Sequence, residues 1–209
     1  RGPADAVHRR QAACDELEHP AAGRVELAGS ARRRVDAVKD LDVIATATDP
    51  AALAQAFAGL DVIESAQVAS GGSAPAGARG RTHSGIDVDL RIVAPEQFGN
   101  LLQHFTGSKE HNMALRAQAV GRGLHVSEYG VLDDATGTTH HCATEAEVYA
   151  LLDLPYIEPE LRENRGELAP GWTAPELVTL DDIRGDLHCH TTASDGRNSI
   201  EEMAHAARE

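Results

Sequence analysis

The 209-residue sequence predicts an α/β (α+β) fold with a mostly antiparallel sheet, and three patterns support this prediction. Two apolar strands, 24–28 and 40–45, flank a Gly-Ser turn and a run of arginines. The segment 86–93 alternates apolar and polar residues with a period of two, which is typical of a half-buried strand, and a Gly-containing turn joins it to 79–82 as a hairpin. Capping residues mark two helices, at 48–57 and 108–120.

The remaining elements follow from turn residues and periodicity along the chain. Four prolines and little periodicity between Pro155 and Pro175 predict an extended linker, and the stretch 70–78, rich in Gly, Ser and Ala, predicts a flexible loop. Thr144 forms a capping box with Glu147 and therefore begins a helix. The other predicted elements are helices at 5–17, 95–104, 144–152 and 198–208, and strands at 61–69, 124–127 and 183–190.

Composition bounds the class of protein. Hydrophobic residues make up 42% of the chain, enough for a core, and because only 3% are aromatic, aliphatic side chains must fill it. No apolar run reaches the length of a membrane span and no signal peptide opens the chain. Three scattered cysteines, Cys14, Cys142 and Cys189, form neither a disulfide framework nor a paired zinc spacing. We therefore expect a cytoplasmic protein with no membrane contact and, since it starts at Arg1, part of a longer protein.

The formal charge of −14 is unevenly distributed. The stretch 134–182 is strongly acidic, whereas 23–133 is nearly balanced. The charge therefore neither excludes nor supports a nucleic-acid partner.

Two strands carry carboxylates that can meet at one site. Side chains alternate faces along a strand, so Asp40 and Asp42 share a face. The polar face of 86–93 adds both Asp87 and Asp89, and the local pattern does not choose between them. Three carboxylates from two strands can hold two Mg²⁺ ions for phosphoryl transfer. A lone Asp-x-Asp is more often a solvated face, but the Gly-Ser turn just before this one favours the metal site.

The segment 29–34 supplies the other half of this candidate site. A turn of backbone N–H groups with arginine side chains, next to paired carboxylates, suits a metal-bound triphosphate. Taken alone, the arginine run would be a solvated surface turn, and Ser30 would be an ordinary turn hydroxyl.

A second pattern lies at 105–116, where a break leads into a helix. Lys109, Asn112 and Arg116 are spaced by three and four residues, so they share one face of that helix. By itself this pattern favours an ordinary exposed helix.

A third pattern lies near the end of the chain. His188 and His190 are two residues apart, and Asp195 follows in a Ser-Asp-Gly loop. Imidazole and carboxylate ligands suit Zn²⁺, Mn²⁺ or Fe²⁺. The combination is more specific than a chance His-x-His.

The order of these motifs resembles that of the bacterial family X DNA polymerases, which are polymerase-beta-like nucleotidyltransferases. The motifs are GS-x-RR, D-x-D, DLR, FTGSK-x-HN and EYG, in that order. The run PYIEPELRENRGEL and the later DIRGDLHCHTTASDG resemble the linker and the first motif of the polymerase-and-histidinol-phosphatase (PHP) domain that these bacterial enzymes carry. The resemblance covers about 24–209.

The resemblance implies a domain order and a set of site residues. The domains are an N-terminal helical remnant at 1–22, a nucleotidyltransferase palm at 23–95, a small nucleotide-binding thumb at 96–133, a linker at 134–182, and the truncated start of a PHP domain at 183–209. The implied catalytic and metal-binding residues are Asp40, Asp42 and Asp89, with Mg²⁺ or Mn²⁺. The implied nucleotide-binding residues are Gly29, Ser30, Arg33, Arg91, Phe105, Gly107, Lys109, Asn112 and Arg116. The implied ligands of the PHP site, for Mn²⁺ or Zn²⁺, are His188, His190 and Asp195.

The same resemblance leaves some residues without a role. Asp87 becomes a bystander on the acidic face, and Arg32 and Arg34 become solvated surface arginines. Two residues depart from the family pattern: Lys39 stands in place of a Gly, and His104 in place of the Tyr that precedes the Phe. The remaining PHP ligands lie outside these 209 residues, and the helix-hairpin-helix region expected upstream is absent from them or reduced to 1–22.

The implied activity is that of a DNA-directed DNA polymerase, monomeric and acting with a dNTP on gapped or primer-template DNA. It would add a deoxynucleoside monophosphate to a primer 3′ end in gap-filling repair, with an associated but incomplete 3′–5′ exonuclease module. Two alternatives are another nucleotidyltransferase, with an RNA or small-molecule acceptor, and a fragment that binds DNA ends with little catalysis.

Overall fold

The computed structural model describes residues 19–69, 76–185 and 188–208. The chain divides into two compact units, Arg1–Ala174 and Pro175–Glu209, which are taken separately below. The predicted helix at 5–17 lies outside the described residues. Within the described ranges, no helix combines the length and the apolar character needed to span a bilayer.

A five-stranded sheet forms the first part of unit one, in the order β1-β2-β5-β4-β3. Its strands are β1 (Ala22–Leu27), β2 (Asp40–Ala47), β3 (Ile63–Ala69), β4 (Gly77–Thr82) and β5 (Asp87–Val93). Only β2 and β5 pair in parallel; the other three pairings are antiparallel. The structure therefore confirms the predicted α/β fold with a mostly antiparallel sheet, including the β4–β5 hairpin.

Helices cover both faces of this sheet. Helix α2 (Pro50–Ala58) begins as predicted, because Asp49 accepts a hydrogen bond from the backbone N–H of Ala52 at 3.0 Å. Its Leu53 and Phe57 are buried against one face. On the other face, Phe98 and Leu101 of α3 (Phe98–Thr106) pack on Ile44 of β2. The alternation of β2 supplies both contacts, since Val43 and Ile44 point to opposite faces.

The predicted Gly-Ser turn is one turn of helix, α1 (Gly29–Arg32), at the end of β1. Gly29 has φ +63°, in the left-handed region that favours glycine. An added Cβ at Gly29 would lie 2.3 Å from Oδ2 of Asp42. Glycine therefore allows the chain to leave β1 directly over the acidic strand.

A smaller helical and β region completes unit one. Helix α4 (Lys109–Val120) begins at Ser108, whose Oγ accepts a hydrogen bond from His111 N at 3.2 Å, as predicted. Strands β6 (Leu124–Ser127), β7 (Gly130–Asp133) and β8 (Thr138–His140) form an antiparallel sheet. Helix α5 (Glu145–Leu151) has the predicted Thr144–Glu147 capping box, and its Val148 and Tyr149 share a core with Leu115 of α4.

The residues 155–174 do not form the extended linker that their prolines predict. Ile157 and Leu168 are buried in the core around α5, and Arg162 is fully buried. A single 3₁₀ turn, Pro159–Leu161, lies between them. The prolines shape a folded segment here because the apolar residues between them have a core to enter.

Unit two contains a 3₁₀ turn (Leu180–Asp182) and one helix, α6 (Ile200–Ala206), in its described residues. The helix begins with a Ser199–Glu202 capping box and confirms the prediction for 198–208. The predicted strand at 183–190 is wrong for its described residues, 183–185 and 188–190, which form no strand. A strand needs hydrogen bonds from a neighbouring strand, and the described part of unit two supplies none.

Candidate functional site

The two acidic strands lie side by side in the sheet. The parallel register of β2 and β5 sets Asp40 opposite Asp87 and Asp42 opposite Asp89. These four carboxylates share one face of the sheet because alternate residues point the same way. They occupy the first half of each strand, whereas Ile44, on the same face, is covered by α3 in the second half. The sheet thus places the three aspartates that the family resemblance implies at neighbouring positions of one face.

The carboxyl group of Asp42 has a raised pKa. Burial, and then repulsion from Asp40 and Asp89, raises the pKa of Asp42 to about 6, while Arg91 opposes the rise. At neutral pH the ionised carboxylate therefore lacks sufficient compensation from its surroundings. A cation bound between the strands would supply that compensation.

Asp89, in contrast, is held by arginines. Its Oδ2 accepts hydrogen bonds from Arg79 Nε at 3.3 Å and from Arg91 Nη2 at 3.2 Å. The Arg91 guanidinium lies 4.4 Å from the centre of the Phe105 ring, within cation–π range. Arg91, Asp89 and Phe105 are therefore one contact group that links the sheet to α3.

A cleft of about 550 Å³ opens over the acidic face. Its polar lining comes from four neighbouring strands: Asp40, Asp42, Ser65, Gln67, Arg79, Arg81, Asp87 and Asp89. Within the described ranges, no group of three or more His, Cys, Asp or Glu side chains is gathered as a preformed metal site. The donor chemistry nevertheless fits Mg²⁺ or Mn²⁺, which prefer carboxylate oxygens, and the unmet charge of Asp42 points the same way.

Each arginine of the predicted phosphate turn pairs with a different glutamate. The pairs are Arg32 with Glu145, Arg33 with Glu163, and Arg34 with Glu160, at N–O distances of 2.7, 2.7 and 3.0 Å. The expectation that Arg32 is solvated is wrong, because its side chain is 17% exposed and binds both carboxylate oxygens of Glu145. Arg34 is 76% exposed.

Arg33 also contacts the break between α3 and α4. Its Nη1 donates to the carbonyl oxygen of Thr106 at 2.6 Å. Gly107 makes room for this approach, since an added Cβ there would lie 3.3 Å from Nη1. Ser30, on the same turn as Arg33, is half-buried. The turn after β1 and the break before α4, predicted as separate motifs, are thus in contact.

The predicted residues of α4 differ in their surroundings. Asn112 joins α4 to the end of α3, because its Nδ2 donates to His104 O at 2.7 Å and its Oδ1 accepts from Gln103 at 2.8 Å. Lys109 and Arg116 are exposed. Burial lowers the pKa of His104 against the opposing charge of Glu128, so the neutral ring can accept the hydrogen bond from Arg116, 2.8 Å from its Nδ1.

A buried ionic network that the sequence does not predict includes Arg32 at the end of α1. Glu145 binds Arg162 Nη1 at 2.5 Å as well as Arg32, and Arg162 Nε donates to Ile157 O at 2.9 Å. Burial alone would raise the pKa of Glu145, but the two guanidinium groups outweigh it and lower that pKa. No local pattern distinguishes the fully buried Arg162 from the exposed Arg165.

A second buried group lies nearby in the same core. His111 places Nδ1 2.7 Å from Glu167 and Nε2 2.9 Å from the hydroxyl of Tyr149. Burial lowers the pKa of His111 in spite of Glu167. The backbone N–H groups of Asn164 and Arg165 also donate to Glu167, so this group anchors the segment that follows Arg162.

In unit two the three predicted metal ligands lie together. The Nε2 atoms of His188 and His190 are 2.9 Å apart, and Asp195 contacts Nδ1 of His190. Gly196 lets the loop return over this turn, because an added Cβ would lie 2.4 Å from the carbonyl oxygen of His190.

The mixed sheet, its acidic face and the adjoining small helical region define a polymerase-beta-like fold. Residues 101–163 match the family model for the DNA polymerase beta thumb. The match extends beyond the expected boundary at 133, through the residues that bind the arginine turn.

Two curated proteins resemble the chain in sequence. It is 43% identical over 179 residues to the DNA polymerase/3′-5′ exonuclease PolX of Bacillus subtilis (strain 168). The matched region covers 86% of this chain and 31% of the Bacillus protein. It is 33% identical over 95 residues to DNA polymerase lambda of Rattus norvegicus. That match covers 40% of this chain and 16% of the rat protein. Together these matches support a relationship of the chain to the family X DNA polymerases, in their bacterial form. It spans less than a third of the length of either relative.

Proposed function

We propose that this chain is a DNA-directed DNA polymerase that adds deoxynucleoside monophosphates to a primer 3′ end in gapped DNA, as a step of DNA repair. The primer 3′ oxygen would form a bond to the α-phosphorus of a dNTP, and the bond from that phosphorus to the leaving pyrophosphate oxygen would break. DNA and dNTP are its proposed partners, and the proposed form is a monomer.

The observation that carries this proposal is the register of β2 and β5. It sets Asp42 beside Asp89 with Asp40 on the same face, and burial together with repulsion from these two carboxylates raises the pKa of Asp42 to about 6. Two divalent ions, Mg²⁺ or Mn²⁺, held by these three carboxylates would activate the 3′ hydroxyl and neutralise charge on the reacting phosphates. The chain's own contribution is to hold the carboxylates at adjacent positions of two paired strands.

The other predicted residues support the same assignment by their positions. Arg33 and Ser30 lie on the turn above Asp42 and would receive the β- and γ-phosphates. Arg91 holds Asp89 and stacks on Phe105, which would fix the third carboxylate relative to the sugar of the nucleotide. Gly107 lies at the break before α4 and Asn112 lies on α4, and both would contact the nucleotide. Lys109 and Arg116 present exposed cationic groups on the same helix.

The test is single-nucleotide extension on gapped DNA with Mg²⁺. Asp40→Asn and Asp89→Asn each remove a proposed metal ligand, so we expect loss of extension to background. Asp87→Asn is the matched control, since Asp87 lies on the same face but is exposed and pairs with Arg81 at 2.8 Å; it should retain most activity. Extension that persists in Asp89→Asn, or a wild-type chain without extension, would refute the proposal.

We further propose that unit two begins a PHP phosphoesterase site with 3′–5′ exonuclease chemistry, which the name of the Bacillus relative includes. The convergence of His188, His190 and Asp195 supports this, and Mn²⁺ or Zn²⁺ would suit these ligands. A 5′-labelled strand in the same reactions, with Mn²⁺, tests the assignment. Metal-dependent shortening from the 3′ end that is lost in His190→Ala supports it, and shortening that persists in His190→Ala, or a wild-type chain that shortens nothing, contradicts it.

A further inference from the structure

The contact between Arg33 and Glu163 differs from the two neighbouring ion pairs. The Arg33 side chain is only 12% exposed, whereas the Glu163 side chain is 30% exposed. Arg32 and Glu145 are both largely buried, and Arg34 is mostly in solvent. Of these three pairs, the Arg33 pair combines a buried cation with a carboxylate that solvent reaches.

The segment that carries Glu163 is firmly anchored. Arg162, directly before it, is buried in the ionic network, and Glu167, four residues later, binds His111 and two backbone N–H groups. Glu163 is therefore presented to Arg33 by a folded segment, and its carboxylate lies 2.7 Å from Nε.

Arg33 donates from Nε to Glu163 and from Nη1 to Thr106 O. The carboxylate neutralises the guanidinium charge that an incoming phosphate would need. A nucleoside triphosphate carries several negative charges, so it and Glu163 repel each other at this position. The single positive charge of Arg33 cannot fully neutralise both the Glu163 carboxylate and an incoming phosphate.

We propose that Glu163 is the counter-ion which an incoming triphosphate displaces from Arg33, and that it thereby sets the affinity of the site for nucleotide. The inference rests on the proposed polymerase function, because that function places the phosphates at Arg33. When Glu163 leaves Arg33, solvent can hydrate its carboxylate, since that carboxylate is already partly exposed. Thr106 O stays as the contact that keeps Arg33 in place during the exchange.

The test compares Glu163→Gln with Glu160→Gln in dNTP titrations of the gapped-DNA reaction. Glu163→Gln keeps the shape of the side chain and removes the charge, so the KM for dNTP should fall about five-fold, with kcat changed less than about two-fold and the thermal midpoint nearly constant. Glu160→Gln, which alters the exposed pair with Arg34, should leave KM unchanged. A merely structural Glu163 would instead give a raised KM and a lower thermal midpoint.

Different results would refute the polymerase assignment and the counter-ion role of Glu163. If the wild-type chain extends DNA and Glu163→Gln has an unchanged or raised KM, the inference is refuted and the polymerase assignment stands. If the wild-type chain extends nothing, the assignment fails, and calorimetric titration with inorganic tripolyphosphate and Mg²⁺ decides the inference separately. Tighter binding by Glu163→Gln than by wild type then supports the counter-ion role, and equal or weaker binding overturns it.

Discussion

Replacing Asp42 by Asn should stabilise the metal-free protein at neutral pH while removing a proposed metal ligand. The pKa of Asp42 rises from 3.8 to about 6, so the folded protein holds this proton more tightly than the unfolded chain does. The loss of folding stability caused by ionising Asp42 in the folded protein is absent below pH 3.8. It grows between pH 3.8 and about 6 and is complete above about 6. The pKa shift corresponds to a loss of folding stability of at most about 3 kcal/mol. Because Asp42 is only half-buried, we expect a loss of about 1–2 kcal/mol.

Urea denaturation in EDTA measures this effect directly. At pH 7.5, Asp42→Asn should be more stable than wild type by about 1–2 kcal/mol, and the advantage should shrink towards zero as pH falls to about 4. Asp87→Asn, on the exposed neighbouring position, is the control and should gain much less. Added Mn²⁺ should stabilise the wild type more than Asp42→Asn. A variant that is no more stable than wild type at pH 7.5 would refute the reasoning from burial and like-charge repulsion.

Two further substitutions test the backbone and the buried network around the site. Gly29→Ala forces a Cβ to within 2.3 Å of Asp42 Oδ2 at φ +63°, so it should cost about 2–4 kcal/mol in urea denaturation. Gly137→Ala, at φ +68° with nothing within 4 Å, should cost only about 1 kcal/mol, and equal losses would contradict the clash. Arg162→Met removes a fully buried partner of Glu145 and should cost about 3–5 kcal/mol. The exposed Arg165→Met should stay within about 0.5 kcal/mol of wild type, and a similarly small loss in Arg162→Met would show that the network is dispensable.

Elements with local signals were predictable from the sequence. The Asp49-Pro50 start of α2, the Ser108 cap of α4 and the Thr144–Glu147 capping box each involve residues within one helical turn. The alternation of 86–93 likewise predicts which side chains of β5 are buried. These features depend on neighbouring residues, so a linear pattern is enough to identify them.

Features that depend on distant pairing were not predictable. The parallel register that sets Asp42 beside Asp89 joins strands far apart in sequence, and alternation predicts the face of each aspartate but not its partner. Strands β7 and β8 are short and were not predicted, because they are defined mainly by pairing, of β7 with β6 and of β8 with β7. The partners of the arginine run lie more than a hundred residues away, and two of them, Glu160 and Glu163, lie in the stretch whose prolines suggested a linker.

The ion pairs of the arginine turn also determine how this chain can be divided for experiments. Motif boundaries suggest a cut near Asp133, but that cut would remove Glu145, Glu160 and Glu163 together. It would leave two poorly exposed guanidinium groups without their carboxylates and uncover Leu115 and Val131, whose core includes Tyr149 and Leu168. A shortened version intended for biochemistry should therefore run through Ala174, where the first compact unit ends.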